Sequence, residues 1–272
     1  MRVADLGELG LLAELERRGL ARDIGDDAAA LADGVVVTQD ALVEGVHFRL
    51  DRISWRDLGF RAAAVNISDL AASGAEPEGL LVSLGVPSDT DVEAVLGLYE
   101  GIAETGVPVI GGDTSSAAAV LVSVTAIGRS IRVPGRGGAR PGDVLVVTGP
   151  LGGAGAAFRA GRYLRPPIRV EEGRALAVHA HAMLDLSDGI GVDARRLADR
   201  SGCRVVVELE RVPLAAEATI EDLAFGEDYE LLAAVVEPAG FAAIGRCEEG
   251  EGLELRLAGE PRELPGFTHF TS

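Results

Sequence analysis

The stretch VPGRGGARPGD, residues 133–143, places glycine or proline at six of eleven positions near the middle of a 272-residue chain. Such a run suits neither helix nor strand, so it marks a junction between two units. On its N-terminal side, Gly7 to Leu20 has helical spacing, and Val35 to Thr38 reads as a strand ending in Asp40. A helix follows over Arg56 to Ser73, where Phe60, Ala63, Ala64, Ile67, Leu70 and Ala71 recur at helical spacing before Gly74 and Pro77 stop it. GLLVSLGVP (79–87) reads as a strand, SDTDVEAVLGLYEGIAETG (88–106) as a capped helix, and VPVIGG (107–112) and AVLVSVTAIGR (119–129) as further strands. Beyond the junction, VLVVTGP (144–150), CRVVVEL (203–209) and ELLAAVVE (230–237) are strands, and helices begin at GGAGAAFRAG (152–161) and run over Ile190 to Ser201. The expected architecture is therefore α/β (α+β) in two domains, 1–135 and 136–272.

Composition narrows the function. With 25 basic and 43 acidic residues the net charge is −18, which argues against a binder of nucleic-acid backbones or of anionic membranes. The first ten residues, MRVADLGELG, lack a signal peptide's apolar core, and no apolar run reaches the roughly 18 residues of a membrane span, so a soluble cytoplasmic chain is expected. Cys203 and Cys247 stand far apart in sequence and form neither a zinc set nor a disulfide framework. Every basic residue is arginine. Without lysine, a Walker A loop and a protein-kinase catalytic lysine are both excluded.

Aspartates recur beside glycine or small polar residues where elements begin or end: Asp26 and Asp27 in GDD, Asp40 in TQD, Asp69 in NISD, Asp113 in GGDT, Asp185 and Asp188 in DLSD. Each alone has a structural explanation in turns and N-caps, and Asp188 is placed to cap the helix from Ile190. Together they suit Mg²⁺, a hard cation that joins carboxylates to substrate phosphates. In a chain without lysine, metal ions and arginine would have to neutralise charge in any phosphoryl transfer. GGDTSS (111–116), bare backbone beside an aspartate, is the better phosphate and metal candidate, and the glycine turn TGPLGGAGAAF (148–158) reads equally as an anion cradle or a packing turn.

Seven motifs in one order, IGDDAAAL, TQDALVEGVHF, AAVNISDLAASGAEP, IGGDTSS, RGGARPGD, LDLSDGIGVD and FGEDYELL, resemble the thiamine-monophosphate kinases of the aminoimidazole-ribotide-synthetase-like superfamily nearly end to end. The resemblance implies an ATP- and Mg²⁺-dependent enzyme converting thiamine monophosphate to thiamine diphosphate, a homodimer paired through its N-terminal domains. It implies metal ligands at Asp27, Thr38, Gln39, Asp40, Asp69, Asp113, Asp185 and Asp188. Gln39 stands where relatives carry a small hydroxyl residue, so its contact depends on whether backbone or side chain is used. It further implies ATP contacts from Tyr99, Gly112, Asp113, Arg136 and Ser187, and substrate contacts from His47, Glu227 and Phe267. No covalent or general-base residue is expected, because the acceptor phosphate is already an anion. Two rival readings stand beside it: another enzyme of the same superfamily, such as an aminoimidazole ribotide synthetase, and a non-catalytic metal or nucleotide binder, which predicts binding without ADP production.

Overall fold

The computed structural model describes residues 2–267. In chain order the elements are α1 (Val3–Arg17), β1 (Ala29–Ala30), β2 (Val35–Val43), α2 (Trp55–Ala72), β3 (Glu76–Val86), α3 (Val92–Ala103), β4 (Val109–Ser116) and β5 (Leu121–Arg129). They continue with β6 (Val144–Val147), α4 (Gly153–Arg159), α5 (Val170–Ala177), β7 (Ala182–Asp185), α6 (Ile190–Ser201), β8 (Arg204–Glu208), β9 (Leu231–Val235), β10 (Ala242–Glu248), β11 (Gly252–Leu257) and β12 (Glu260–Arg262). None of the described helices is long and apolar enough to cross a membrane.

Two sheets lie on either side of the glycine-rich junction. The first has strand order β1-β2-β5-β3-β4, and the second β12-β11-β8-β10-β6-β9-β7. Both are mixed and mainly antiparallel, with one parallel pair each, β3/β4 and β8/β11. The strand expected from Val35 to Asp40 is longer: β2 runs on to Val43 because the β5 ladder continues to Val43↔Leu121. In GGDTSS, Gly111 to Ser116 pair in register with Leu81 to Val86 as the exposed edge strand β4.

The long helix α2 organises the site. Ser54 caps it by accepting from the Asp57 amide, and 13 of its 18 residues are buried, far more than one amphipathic stripe requires. The excess follows from its neighbours, since α2 packs on the first sheet, on α3, and on α5 and β7 of the other half. Close approach explains its small residues. A Cβ on Gly59 would lie 1.8 Å from the Leu98 carbonyl oxygen, and one on Gly101 of α3 would lie 1.8 Å from that of Arg56. Gly59→Ala should therefore push α2 and α3 apart and cost about 1–3 kcal/mol, read as a lower urea midpoint with an unchanged denaturant slope.

A candidate metal and phosphate cleft between the two halves

Alternation along β2 sends Val36, Thr38 and Leu42 into the α2 side of the sheet, where all three are buried. Thr38 Oγ1 lies 2.7 Å from Asp69 Oδ2 and 3.0 Å from the Asp27 carbonyl oxygen, joining strand, helix and the loop before β1. From the other half, β7 ends on Asp185, which is 2% exposed and accepts from Ser68 Oγ on α2 at 2.6 Å. Asp27, Asp69 and Asp185 each offer an oxygen such that all three atoms lie within 4.8 Å of one another. Asn66, fully buried, accepts from the Asp40 amide at 2.9 Å and so fixes the backbone of the next acidic residue.

Three carboxylates this close, one buried and two partly buried, resist ionising together. Burial raises the Asp69 carboxyl well above its usual range, and repulsion from Asp185, Asp40 and Asp27 adds to it. Burial, then Asp27, does the same to Asp185. Asp27 is raised too, by burial, although Arg136 opposes the shift through its guanidinium contact with Asp27 Oδ1. The Arg136 amide donates to Asp26 at 2.8 Å, so the junction itself is tied down at the cluster.

The trio sits in a cleft of about 1000 Å³ lined by both halves. Asp27, Thr38, Gln39, Asp40, His47, Asp69, Arg136, Asp185, Ser187, Asp188, Glu227 and Phe267 line it. The Gln39 side chain is held on the opposite sheet face by Ser123 and Thr125, which leaves its main chain to face the cleft. His47 Nδ1 accepts from the Val43 amide at 3.0 Å, so the proton of the neutral ring is on Nε2. Glu227, in a left-handed backbone conformation (φ 58°), receives Arg61 Nη2 at 2.5 Å, and its amide donates to the Ser187 carbonyl at 2.8 Å. Phe267 donates its amide to the Asp188 carbonyl and is 44% exposed.

Tyr99, Gly112 and Asp113 lie off this cleft. Tyr99 is partly buried against the N-terminal core. Asp113 is in register with Ser83, Ser123 and Ala41, three strands and about 14 Å from β2. Asp188 does not cap α6. The N-cap is Gly189, Asp188 pairs with Arg196 at 2.5 Å, and Asp193 accepts from the Asp188 amide. The glycine turn is no open anion cradle either, because Asp228 accepts from the Gly152 and Ala154 amides at 2.7 and 3.3 Å. A carboxylate of the chain already fills the place a phosphate would take.

That carboxylate gives a pH test. Burial raises Asp228 to about 6, with Glu230 pushing the same way and the Gly152 and Ala154 amides opposing. A carboxyl raised in the folded state binds its proton more tightly there than when unfolded, so its contribution to stability falls as pH rises from about 4 to 6. The stability advantage of the native chain over Asp228→Asn should narrow across that window in urea titrations.

Sequence reasoning missed Arg61, Asn66, Ser68 and Arg196. A signal existed for Asn66, one of only two side-chain amides in the chain, because a polar residue in the middle of a buried helical pattern is disfavoured without a partner.

Two tandem mixed sheets enclosing an acidic cleft define the class, and family models agree: AIR synthase related protein, N-terminal domain, matches residues 25–130, and AIR synthase related protein, C-terminal domain, matches 140–263. The thiamine-monophosphate kinase of Aquifex aeolicus is 33% identical over 99% of this chain and 100% of its own length, and that of Methanopyrus kandleri 38% identical over 87% and 86%. A solved structure, AaThiL complexed with AMPPCP and TMP, superposes with a TM-score of 0.91, covering 99% of each chain at 33% identity. Escherichia coli HypE, a hydrogenase maturation protein, shares the fold with a TM-score of 0.71 at 21% identity over 96% of this chain and 99% of its own. The chain belongs to the thiamine-monophosphate kinase family of enzymes.

Proposed function

We propose that this chain transfers the γ-phosphoryl group of ATP to thiamine monophosphate, giving thiamine diphosphate and ADP. The observation that carries the reading is the convergence of Asp27, Asp69 and Asp185 from both halves at the floor of one cleft, in a chain whose full-length relatives are kinases of that name. One P–O bond of ATP breaks and one forms to the terminal oxygen of the acceptor, in line and without a phosphoenzyme. The acceptor oxygen is already anionic, so no side chain needs to take a proton.

The donor set fits Mg²⁺, being all oxygen and holding buried carboxylates whose mutual repulsion a dication would relieve. The residues to hold it are Asp27, Thr38, the Gln39 main chain, Asp40, Asp69, Asp185 and Asp188. Bound there, several Mg²⁺ ions would screen the approach of two polyanions. Arg136 and Ser187 contact ATP; His47, Glu227 and Phe267 contact the acceptor, with Phe267 stacking on an aromatic ring. In this reading residues 1–135 supply most of the ligands and 136–272 complete the cleft.

Tyr99, Gly112 and Asp113 enter through a second copy. The exposed edge strand β4 and the open sheet face beside it carry Leu81, Val109, Ile110 and Leu121, all at least 36% exposed, which suits pairing of N-terminal sheets in a homodimer. Ile110→Glu should then yield monomers in sedimentation and a matching loss of activity. The chain works in the cytoplasm, without nucleic acid or membrane as partner.

The deciding assay is purified protein with ATP and Mg²⁺ against thiamine monophosphate, thiamine and aminoimidazole precursors. ADP release that depends on thiamine monophosphate, with thiamine diphosphate as product, is the expected result. Nucleotide binding without ADP release would favour a storage or sensing protein instead.

A further inference from the structure

On its cleft side α2 presents Asp69, Val65 and Arg61, four residues apart and therefore on one face. Asp69 belongs to the carboxylate trio, and Arg61 lies two turns back, on the order of 12 Å along the axis. The Arg61 side chain is 6% exposed, which is costly for a charge unless its donors are used. Nη1 donates to the His47 carbonyl at 2.8 Å and Nη2 to Glu227 Oε1 at 2.5 Å. One guanidinium thus ties the turn after β2 to the GEDYEL segment of the other half. Its third donor, Nε, is buried with no protein partner, and so is the hydroxyl of Tyr163. These are the two buried side-chain polar atoms without a protein partner among the described residues, and both residues line the same cleft.

Native chains rarely leave such atoms unmatched, and a ligand group is one of the few things that satisfies them. A donor from Arg61, a hydroxyl from Tyr163 that can donate or accept, and an acceptor carboxylate on Glu227 together match a planar nitrogen heterocycle bearing an amino group. Tyr163 arrives on the 162–169 segment between α4 and α5, where Arg165 bonds Asp57 and lies 4.6 Å over the Phe60 ring, and Ile168 packs on the N-terminal core. That strap fixes the hydroxyl against α2.

We propose that Arg61 and Tyr163 form the subsite that recognises the nitrogen-heterocycle end of the acceptor, with Arg61 also positioning Glu227 and His47. The proposal rests on the reading under Proposed function and deepens it. In it, α2 spans the acceptor: Asp69 marks the phosphate end, and Arg61 the ring end.

Tyr163→Phe is the cleanest test, because it removes a hydroxyl that no protein group uses. Its melting temperature should equal that of the native chain, KM for thiamine monophosphate should rise about three- to tenfold, and kcat and KM for ATP should stay within about twofold. Arg61→Lys keeps the charge and loses the fork, and should raise the same KM by at least about tenfold. If Tyr163→Phe leaves KM for thiamine monophosphate unchanged, or melts lower than the native chain, the subsite is wrong. The same holds if KM for ATP rises in step in either variant. Should Arg61→Lys fail to fold, Tyr163→Phe decides alone. Native protein that releases no ADP with thiamine monophosphate would instead sink the broader reading, and that assay is run first.

Discussion

Asp69→Asn is expected to lower turnover of ATP and thiamine monophosphate by about a hundredfold or more, while the same protein, freed of metal with a chelator, melts higher than the native chain. The two effects have one cause. Asp69 sits within 4.8 Å of Asp27 and Asp185 oxygens, with Asp40 near enough to add to the repulsion. Removing one charge from that group relieves the metal-free fold, and asparagine still offers an oxygen to the Thr38 hydroxyl, now 2.7 Å away. It also removes a proposed metal ligand, and losing one charge-neutralising centre in phosphoryl transfer costs about 3 kcal/mol or more of transition-state stabilisation. Native protein should gain more in melting temperature from added Mg²⁺ than the variant does, because linkage rewards the state that binds. Near-native turnover at saturating Mg²⁺ would remove Asp69 from the site. An unchanged chelated melting temperature would mean the carboxylates are not in conflict.

How much of this was legible in the sequence differs by element. The helix α2 was plain, because its small apolar residues recur at helical spacing and Gly74 ends it. Its burial against the other half was not, since the contacts with α5 and β7 come from elements that begin only at Val170 and Ala182. The strands β10 to β12 went unread. Ala242, Ala243 and Gly245 carry little strand propensity, and β10 is held by pairing with β6 and β8 on both sides. Acidic residues could be picked out singly, but sequence spacing does not say which of them converge. Asp69 and Asp185 meet through Ser68, whereas Asp113, chosen on the same grounds, falls on an exposed edge. The glycine turn misled for a related reason: its amides suit an anion, and the anion is Asp228, 76 residues away from Gly152.

Arg136→Met should show the opposite dependence on metal. Arg136 Nε donates to Asp27 Oδ1 at 2.9 Å with a second, shorter contact from Nη2, and the Asp27 side chain is 2% exposed. Breaking a buried pair from one side leaves its partner charged and unmatched, which typically costs 3–5 kcal/mol, about as much as many folds have to spare. In chelator the variant should therefore unfold at markedly lower urea than the native chain. Added Mg²⁺ should recover a large part of the loss, since in the proposed site a cation held by Asp27 would supply the charge that the guanidinium gave. Asp69→Asn and Arg136→Met then form a matched pair. One removes negative charge and weakens the response to Mg²⁺, and the other removes positive charge and strengthens it. If Arg136 also contacts the nucleotide, as proposed above, KM for ATP in Arg136→Met should rise at least about tenfold even at saturating Mg²⁺, because a metal would replace the arginine against Asp27 alone. A variant as stable as the native chain in chelator would show that Asp27 is held protonated and that Arg136 is not its counter-charge.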